Sequence, residues 1–111
     1  MSLRRDSYRF DETLDSEKGI TLIVRVRATA SFDLIESFAV VLMIQHDTFE
    51  RELVRIDGSQ KERINIHYLF QNPPQKEYHN RPITKEVVDY YLDMVRGNWR
   101  WYYAQYNENY I

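Results

Sequence analysis

The sequence predicts an α+β domain, a four-stranded antiparallel β-meander with one long C-terminal helix packed on one face. Two observations support this fold class. Four stretches between residues 19 and 71 have the patterns of strands, with apolar residues at alternate positions or, in residues 34–46, on both faces, and apolar residues recur at steps of three and four after residue 84. The connections between the four stretches are short, whereas parallel strands would need long crossovers. A chain of 111 residues suits one domain, so residues 19–111 are expected to form a single α+β domain.

Residues 1–18 mix arginines with carboxylates and contain few apolar side chains. A segment of this composition has little to bury. We expect it to form a loosely ordered tail, or alternatively a short strand around residues 7–10 added to the edge of the sheet.

The first predicted strand begins after Gly19, with alternate apolar positions on one face and Arg25 and Arg27 on the other. The second strand covers residues 34–46 and is apolar on both faces. A strand of that kind is usually covered on both sides. The second strand is therefore expected to be central in the sheet or to lie at a subunit contact.

The third predicted strand covers residues 49–56, and we expect Asp57-Gly58-Ser59 to form the turn after it, because Asp-Gly is favoured in hairpins. The fourth covers residues 62–71. Its apolar positions alternate with polar ones that include His67. Pro73 and Pro74 are expected to end the sheet, and the polar residues up to Pro82 to form a loop that leads to the helix.

The helix is expected to run from Thr84, a favourable N-cap residue, to about Tyr106. Its apolar stripe consists of Val88, Leu92, Val95, Trp99, Tyr102 and Tyr106. We expect Val88 to Val95 to close the core, whereas the later aromatic rings exceed what one sheet can cover. These rings suggest an interface with a second copy or another protein, and the alternative is a core with some overhang. The predicted interface residues are Trp99, Trp101, Tyr102, Tyr103, Tyr106 and Tyr110.

The polar face of the predicted sheet is the best candidate for chemistry. Guanidinium groups bind phosphates, and an imidazole can move a proton near neutral pH. The candidate nucleic-acid-binding residues are Arg25, Arg27, Arg51 and Arg55, and the candidate catalytic residues are His67, Arg55 and Arg63. Alternatively, this is an ordinary solvated face whose arginines pair with Glu50, Glu52 and Glu62.

Composition narrows the chemistry further. The chain has no cysteine, so disulfides and thiolate metal sites are excluded, and its three histidines do not have metal-ligand spacing. We expect no metal and no cofactor. The net charge of −2 gives no overall attraction to nucleic acid. No stretch reads as a secretory signal or a membrane span, and a cytoplasmic location is expected.

A short motif suggests a family. Arg55-Ile56-Asp57 is followed by the strand Ile64-Asn65-Ile66-His67-Tyr68, and this arrangement resembles small prokaryotic toxin–antitoxin-associated proteins of the TumE-like group. Those proteins tend to have more than one histidine in the second stretch, whereas this chain has His67 alone. The resemblance implies a ribonuclease-type toxin, or a relative that has lost activity, with an antitoxin as its protein partner.

Three functions follow as expectations. The first is a small intracellular interaction or assembly module, homodimeric through the aromatic residues of the helix. The alternative is an RNA-binding protein or a metal-independent ribonuclease that uses the His/Arg face of the sheet. The third is a small-ligand binder that uses residues 73–82 as a lid. The sequence leaves open whether the protein is an enzyme.

Overall fold

The computed structural model describes residues 4–111, which form one six-stranded antiparallel sheet and one helix. The strands follow one another across the sheet in sequence order. They are β1 (Asp6–Asp15), β2 (Ile20–Ala28), β3 (Ile35–His46), β4 (Phe49–Ser59), β5 (Glu62–Tyr68) and β6 (Gln75–His79), and the helix is α1 (Lys85–Tyr110).

The predicted α+β class, with an antiparallel sheet and a C-terminal helix, is confirmed, but the prediction of four strands is wrong. The two additional strands, β1 and β6, are the edges of the sheet. Both consist mainly of polar, exposed residues. Because an edge strand has one neighbour and is often charged, neither shows the apolar alternation that predicts a strand. Residues 6–15, expected as a tail or a short strand, are a ten-residue strand.

The predicted turn at Asp57-Gly58-Ser59 is also wrong. These residues continue β4, and the hairpin turn to β5 lies at Gln60 and Lys61. Gly58 faces the core, where an added Cβ would lie 3.0 Å from Ile64 Cγ1. Close packing against β5 therefore accounts for this glycine, and hairpin geometry does not.

The core lies between α1 and one face of the sheet, which we call the helix face. The sheet contributes alternate residues of β2 to β5 to this core, and the helix contributes Val88, Tyr91 and Val95. Six strands at about 4.8 Å spacing span about 24 Å, whereas a helix with its side chains is about 10–12 Å wide. The helix packs on β3 and β4, and the flanks of this face are less covered.

The end of the helix packs within its own chain. Trp99, Tyr102 and Tyr106 are each only 6% exposed. The Tyr102 ring lies 5.2 Å from that of Phe70, in the turn after β5, and Tyr110 Oη donates to Gln71 O at 2.8 Å. The expectation that the helix reaches past the sheet from Trp99 onward is therefore wrong for Trp99, Tyr102 and Tyr106. For Tyr102 the reason is that Phe70, in the turn after β5, extends the surface on which the helix packs.

One irregularity changes which residues share a face. Between the pairs Leu42↔Val54 and Met43↔Glu52 the register shifts, which leaves Leu53 as an extra residue in β4. A bulge of this kind reverses the alternation on one side of it. Arg51 is therefore turned to the helix face, where its guanidinium lies 4.4 Å from the centre of the Tyr110 ring.

Candidate functional site

The face of the sheet away from the helix, which we call the outer face, carries most of the predicted catalytic and nucleic-acid-binding residues. Direct cross-strand pairing aligns Arg55 of β4, His67 of β5 and Lys76 of β6 in one row. The next row contains Asp57, Asn65 and Tyr78. These five polar side chains and Tyr78 therefore lie on one surface, because residues directly opposite in an antiparallel sheet point the same way.

His67 is held between two charged neighbours. Its Nε2 lies 3.6 Å from Asp57 Oδ2, and Arg55 is its direct partner across β4. Arg55 itself donates from Nε to Glu52 Oε1 at 2.9 Å. The imidazole thus has a carboxylate near it and a guanidinium beside it, and it keeps a partly exposed edge.

The β6 end of the outer face is cationic. Arg63 Cζ and Lys76 Nζ lie 4.7 Å and 5.0 Å from the centre of the Tyr78 ring, which is half exposed. Within residues 4–111, neither cation has a carboxylate within salt-bridge distance. An exposed aromatic ring between two uncompensated cations is a surface suited to bases and phosphates.

The other end of the outer face is more balanced in charge. Arg27 pairs with Glu36 at 2.8 Å, and Arg9 with Asp11 at 2.9 Å. Arg25 lies opposite Arg9 and Ala39. The predicted nucleic-acid-binding residues Arg25, Arg27 and Arg55 thus share this face, whereas Arg51 does not, because of the bulge at Leu53. The expected pairing of arginines with nearby glutamates is seen for Arg55 and Glu52.

The six predicted interface residues do not form one surface. Trp99, Tyr102 and Tyr106 are in the core, and Tyr103 and Tyr110 pack partly against it. Trp101 differs, since it is 54% exposed, and its ring meets Phe70 edge-on at 5.5 Å. Of the six predicted interface residues, only Trp101 is exposed.

A second polar cluster, absent from the sequence expectations, lies at the β6 edge of the helix face. Tyr68 Oη donates to Glu77 Oε2 at 3.1 Å, and Glu77 Oε1 lies 2.6 Å from His79 Nε2. His79 Nδ1 in turn lies 2.7 Å from the hydroxyl of the buried Tyr91. The chain of contacts joins the edge strand to the helix.

Three pKa values are shifted in this cluster, and the pKa of the Tyr68 hydroxyl is raised by burial and by the nearby Glu77 carboxylate. The hydrogen bond from His79 is the main reason that the pKa of the Glu77 carboxyl is lowered. Burial raises the pKa of the Tyr91 hydroxyl, and Arg81 partly opposes that effect. Glu77 is therefore held ionised and Tyr91 neutral, which is the arrangement of a structural polar network.

The outer face offers a limited chemical set. It has one imidazole, a carboxylate beside it and several cations, which suffice for phosphate binding and for a single proton transfer. Among residues 4–111 no group of three or more His, Cys, Asp or Glu residues could hold a metal ion.

The described part of the chain also has no helix long and apolar enough to cross a membrane.

The prediction of a loop up to Pro82 is wrong for residues 75–79, which form β6. The sequence prediction therefore missed four site residues: Lys76, Glu77, Tyr78 and His79. This segment has no alternation of apolar with polar residues, so the usual sequence signal for a strand is missing.

Comparison of the chain with protein-family models, with curated proteins and with solved structures gave no significant match.

Proposed function

We propose that this protein binds single-stranded RNA on the β4–β6 half of the outer face. The observation that carries the proposal is the exposed Tyr78 ring, flanked by Arg63 and Lys76 and followed in the adjacent row by His67 and Arg55. Proteins that bind single strands combine aromatic stacking with cations along the backbone.

The geometry suits a short single strand. Neighbouring strands are about 4.8 Å apart, so the row of Arg55, His67 and Lys76 spans about 10 Å. A base can displace Arg63 or Lys76 from the Tyr78 ring and stack there. The charge of the displaced side chain then faces the phosphate. The overall charge of −2 limits this attraction to a local patch, and we expect binding to be weak and strongly dependent on salt.

His67 gives this site a route to metal-independent cleavage. Its imidazole takes the proton of a 2′-hydroxyl, the 2′-oxygen bonds to phosphorus, and the bond from phosphorus to the 5′-oxygen breaks. The departing 5′-oxygen takes a proton from the Lys76 ammonium, and Arg55 stabilises the charge on the phosphorane. Asp57 orients the imidazole. The cleavage step extends the binding proposal, and the binding proposal can hold even if no cleavage is observed.

Fluorescence anisotropy of a labelled oligouridine across a salt series tests the binding. Tyr78→Ala should weaken it about 5- to 150-fold, because stacking is worth about 1–3 kcal/mol per base. The double variant Arg63→Ala and Lys76→Ala should reduce the salt slope by about 1.4, at about 0.7 per contact with a single strand.

The matched control is Arg9→Ala, on the same face but at the β1 end, where its charge is already paired with Asp11. It should leave affinity nearly unchanged. Absence of salt-dependent binding, or equal losses in Arg9→Ala and Tyr78→Ala, would contradict the proposal. For cleavage, His67→Ala should reduce the rate in EDTA about 10²- to 10⁴-fold, while it weakens RNA binding less than Tyr78→Ala does.

A second candidate is the interaction module, as a homodimer or with a protein partner such as an antitoxin. The observation in its favour is the exposed pair Trp101 and Tyr90 on the helix, at 54% and 50%, since aromatic side chains are enriched in interfaces. The sequence argument for this candidate is weaker, because three of the six predicted interface rings pack in the core of the subunit.

Light scattering over a dilution series, on the wild type and on Trp101→Glu, tests this second candidate. A dimer that Trp101→Glu dissociates would favour it. A monomer at tens of micromolar wild-type protein would end the homodimer proposal and leave the RNA proposal intact.

A further inference from the structure

The β1–β2 flank of the helix face contains a groove that the RNA proposal does not use. It has a volume of about 480 Å³ and lies between the first two strands and α1. We call it the β1–β2 groove and define it by Phe10, Leu22, Val24, Val26, Val88 and Leu92. Its volume lies within the range of about 300–1,000 Å³ usual for small-molecule sites.

The groove has an apolar floor and a side-chain contact at each end. Leu22, Val24 and Val26 form the floor and are nearly inaccessible to water. At one end Arg96 Nε donates to Glu12 Oε2 at 2.8 Å, which bridges α1 and β1 across the groove. At the other end Phe32 packs on Tyr8 with ring centroids 5.1 Å apart. The space between these contacts is a half-open groove, and we call its open side, where Phe10 is exposed, the mouth.

The charged residues around the mouth already have partners. Lys85 lies 3.2 Å from Asp89, in addition to the Arg96–Glu12 pair. Asp11 is bound by Arg9. A charged ligand would find no unpaired opposite charge here and would have to give up its hydration without compensation. The lining therefore favours an uncharged ligand.

We propose that the β1–β2 groove binds a small, uncharged, largely apolar molecule. From Leu22 to Val26 the floor is about 13 Å long at about 3.3 Å per residue, which suits a medium-chain alcohol or ester better than a compact ring. Such a ligand removes its own apolar chain and the exposed Phe10 ring from water, whereas the floor residues are already buried, and this apolar burial drives its binding.

Photolabelling of the 111-residue chain with a diazirine analogue of 1-decanol tests the proposal. Mass spectrometry should place the label on β1, on β2 or on α1 between Lys85 and Arg96. Unlabelled 1-decanol should compete at concentrations at least about tenfold lower than decanoate or decylamine. Label found on the Trp101 flank, or equal competition by the three compounds, would overturn the proposal.

Two variants locate the site. Phe10→Asp places a carboxylate at the mouth, at an exposed position where folding should be unaffected, and Leu92→Asp places one in the wall. Each should reduce labelling at least about tenfold, whereas Trp101→Asp on the opposite flank of the helix should not. Circular dichroism checks the fold. Unchanged labelling in folded Phe10→Asp would also overturn the proposal.

Discussion

The two faces of the sheet use the same strands in different ways. On the helix face, apolar residues of four strands and the helix form one continuous core. On the outer face, Ile23, Val41 and Met43 form a small separate cluster, next to Arg25 and Arg55. One face is covered by a rigid helix and the other by the stems of charged side chains, which can cover apolar surface while their heads stay in water.

Because of this difference, we expect equally buried residues on the two faces to contribute unequally to stability. Val40 and Val41 are neighbours in β3 and are 0% and 4% exposed, yet they face the core and the outer cluster respectively. The cost of removing a side chain depends on how well its surroundings can collapse. We expect the helix face to be the less deformable side of the sheet, where a cavity left by a smaller side chain collapses least.

The largest expected effect is at Tyr91, which is inaccessible to water and packs on Phe38 and His79. Tyr91→Ala should lower the free energy of unfolding by about 3–5 kcal/mol, because it leaves a large cavity under the helix. Tyr90→Ala, the adjacent and half-exposed tyrosine, is the matched control and should cost under about 1 kcal/mol. Urea titration measures both, and equal losses would refute the distinction.

The second prediction compares Val40→Ala with Val41→Ala in the same strand. We expect losses of about 2–3 kcal/mol and about 1 kcal/mol, because the flexible arginine stems over Val41 can close the cavity and the helix over Val40 cannot. Thermal and urea unfolding of both variants decide this. A larger loss for Val41→Ala would mean that the outer face is covered by something firmer than charged side chains.

The third prediction concerns Gly97, on the solvent side of α1. A Cβ at this position would meet nothing within 4 Å, so close packing does not explain the glycine. Gly97→Ala should therefore stabilise the protein by about 0.5–1 kcal/mol through helix propensity alone. Gly58→Ala, which would press on Ile64 on the helix face, should be destabilising. Changes of opposite sign in the free energy of unfolding, measured for both variants by urea titration, would distinguish the open solvent side of the helix from the closely packed helix face of the sheet.

The smallest effect is the pH dependence from Glu77, at the β6 edge of the helix face. Its folded-state pKa is lowered, chiefly by His79, from an ordinary value of 4.5. The lowered pKa adds stability that is fully present above about pH 4.5 and is lost as the pH falls through the folded pKa. Unfolding of Glu77→Gln should be less sensitive to pH in this range. An unchanged acid dependence would show that other carboxylates dominate.

Much of the candidate site could be predicted, and what was missed has a physical cause. Arg55 and His67 lie where period-two alternation places them, because they pair directly across β4 and β5. Arg63 also lies on the expected face, next to Tyr78, although the β4–β5 register shifts beside it. Arg51 could not be placed, since one extra residue at Leu53 reverses the faces and bulges leave little trace in local composition. Lys76 and Tyr78 were missed because their strand is an edge strand with no apolar side to mark it.

The sequence by itself determined the antiparallel class, the four inner strands and the helix that begins after Thr84, because each depends on local periodicity and on an N-cap whose hydroxyl accepts from Val87 N. Tertiary structure alone decided three further features. Charged segments form strands because a neighbouring strand offers them backbone partners, and Trp99, Tyr102 and Tyr106 are core because the end of the helix packs within its own chain, with Tyr102 on Phe70. A helix about half the width of the sheet left a groove beside it. Each depends on contacts between residues distant in sequence, which local patterns do not encode.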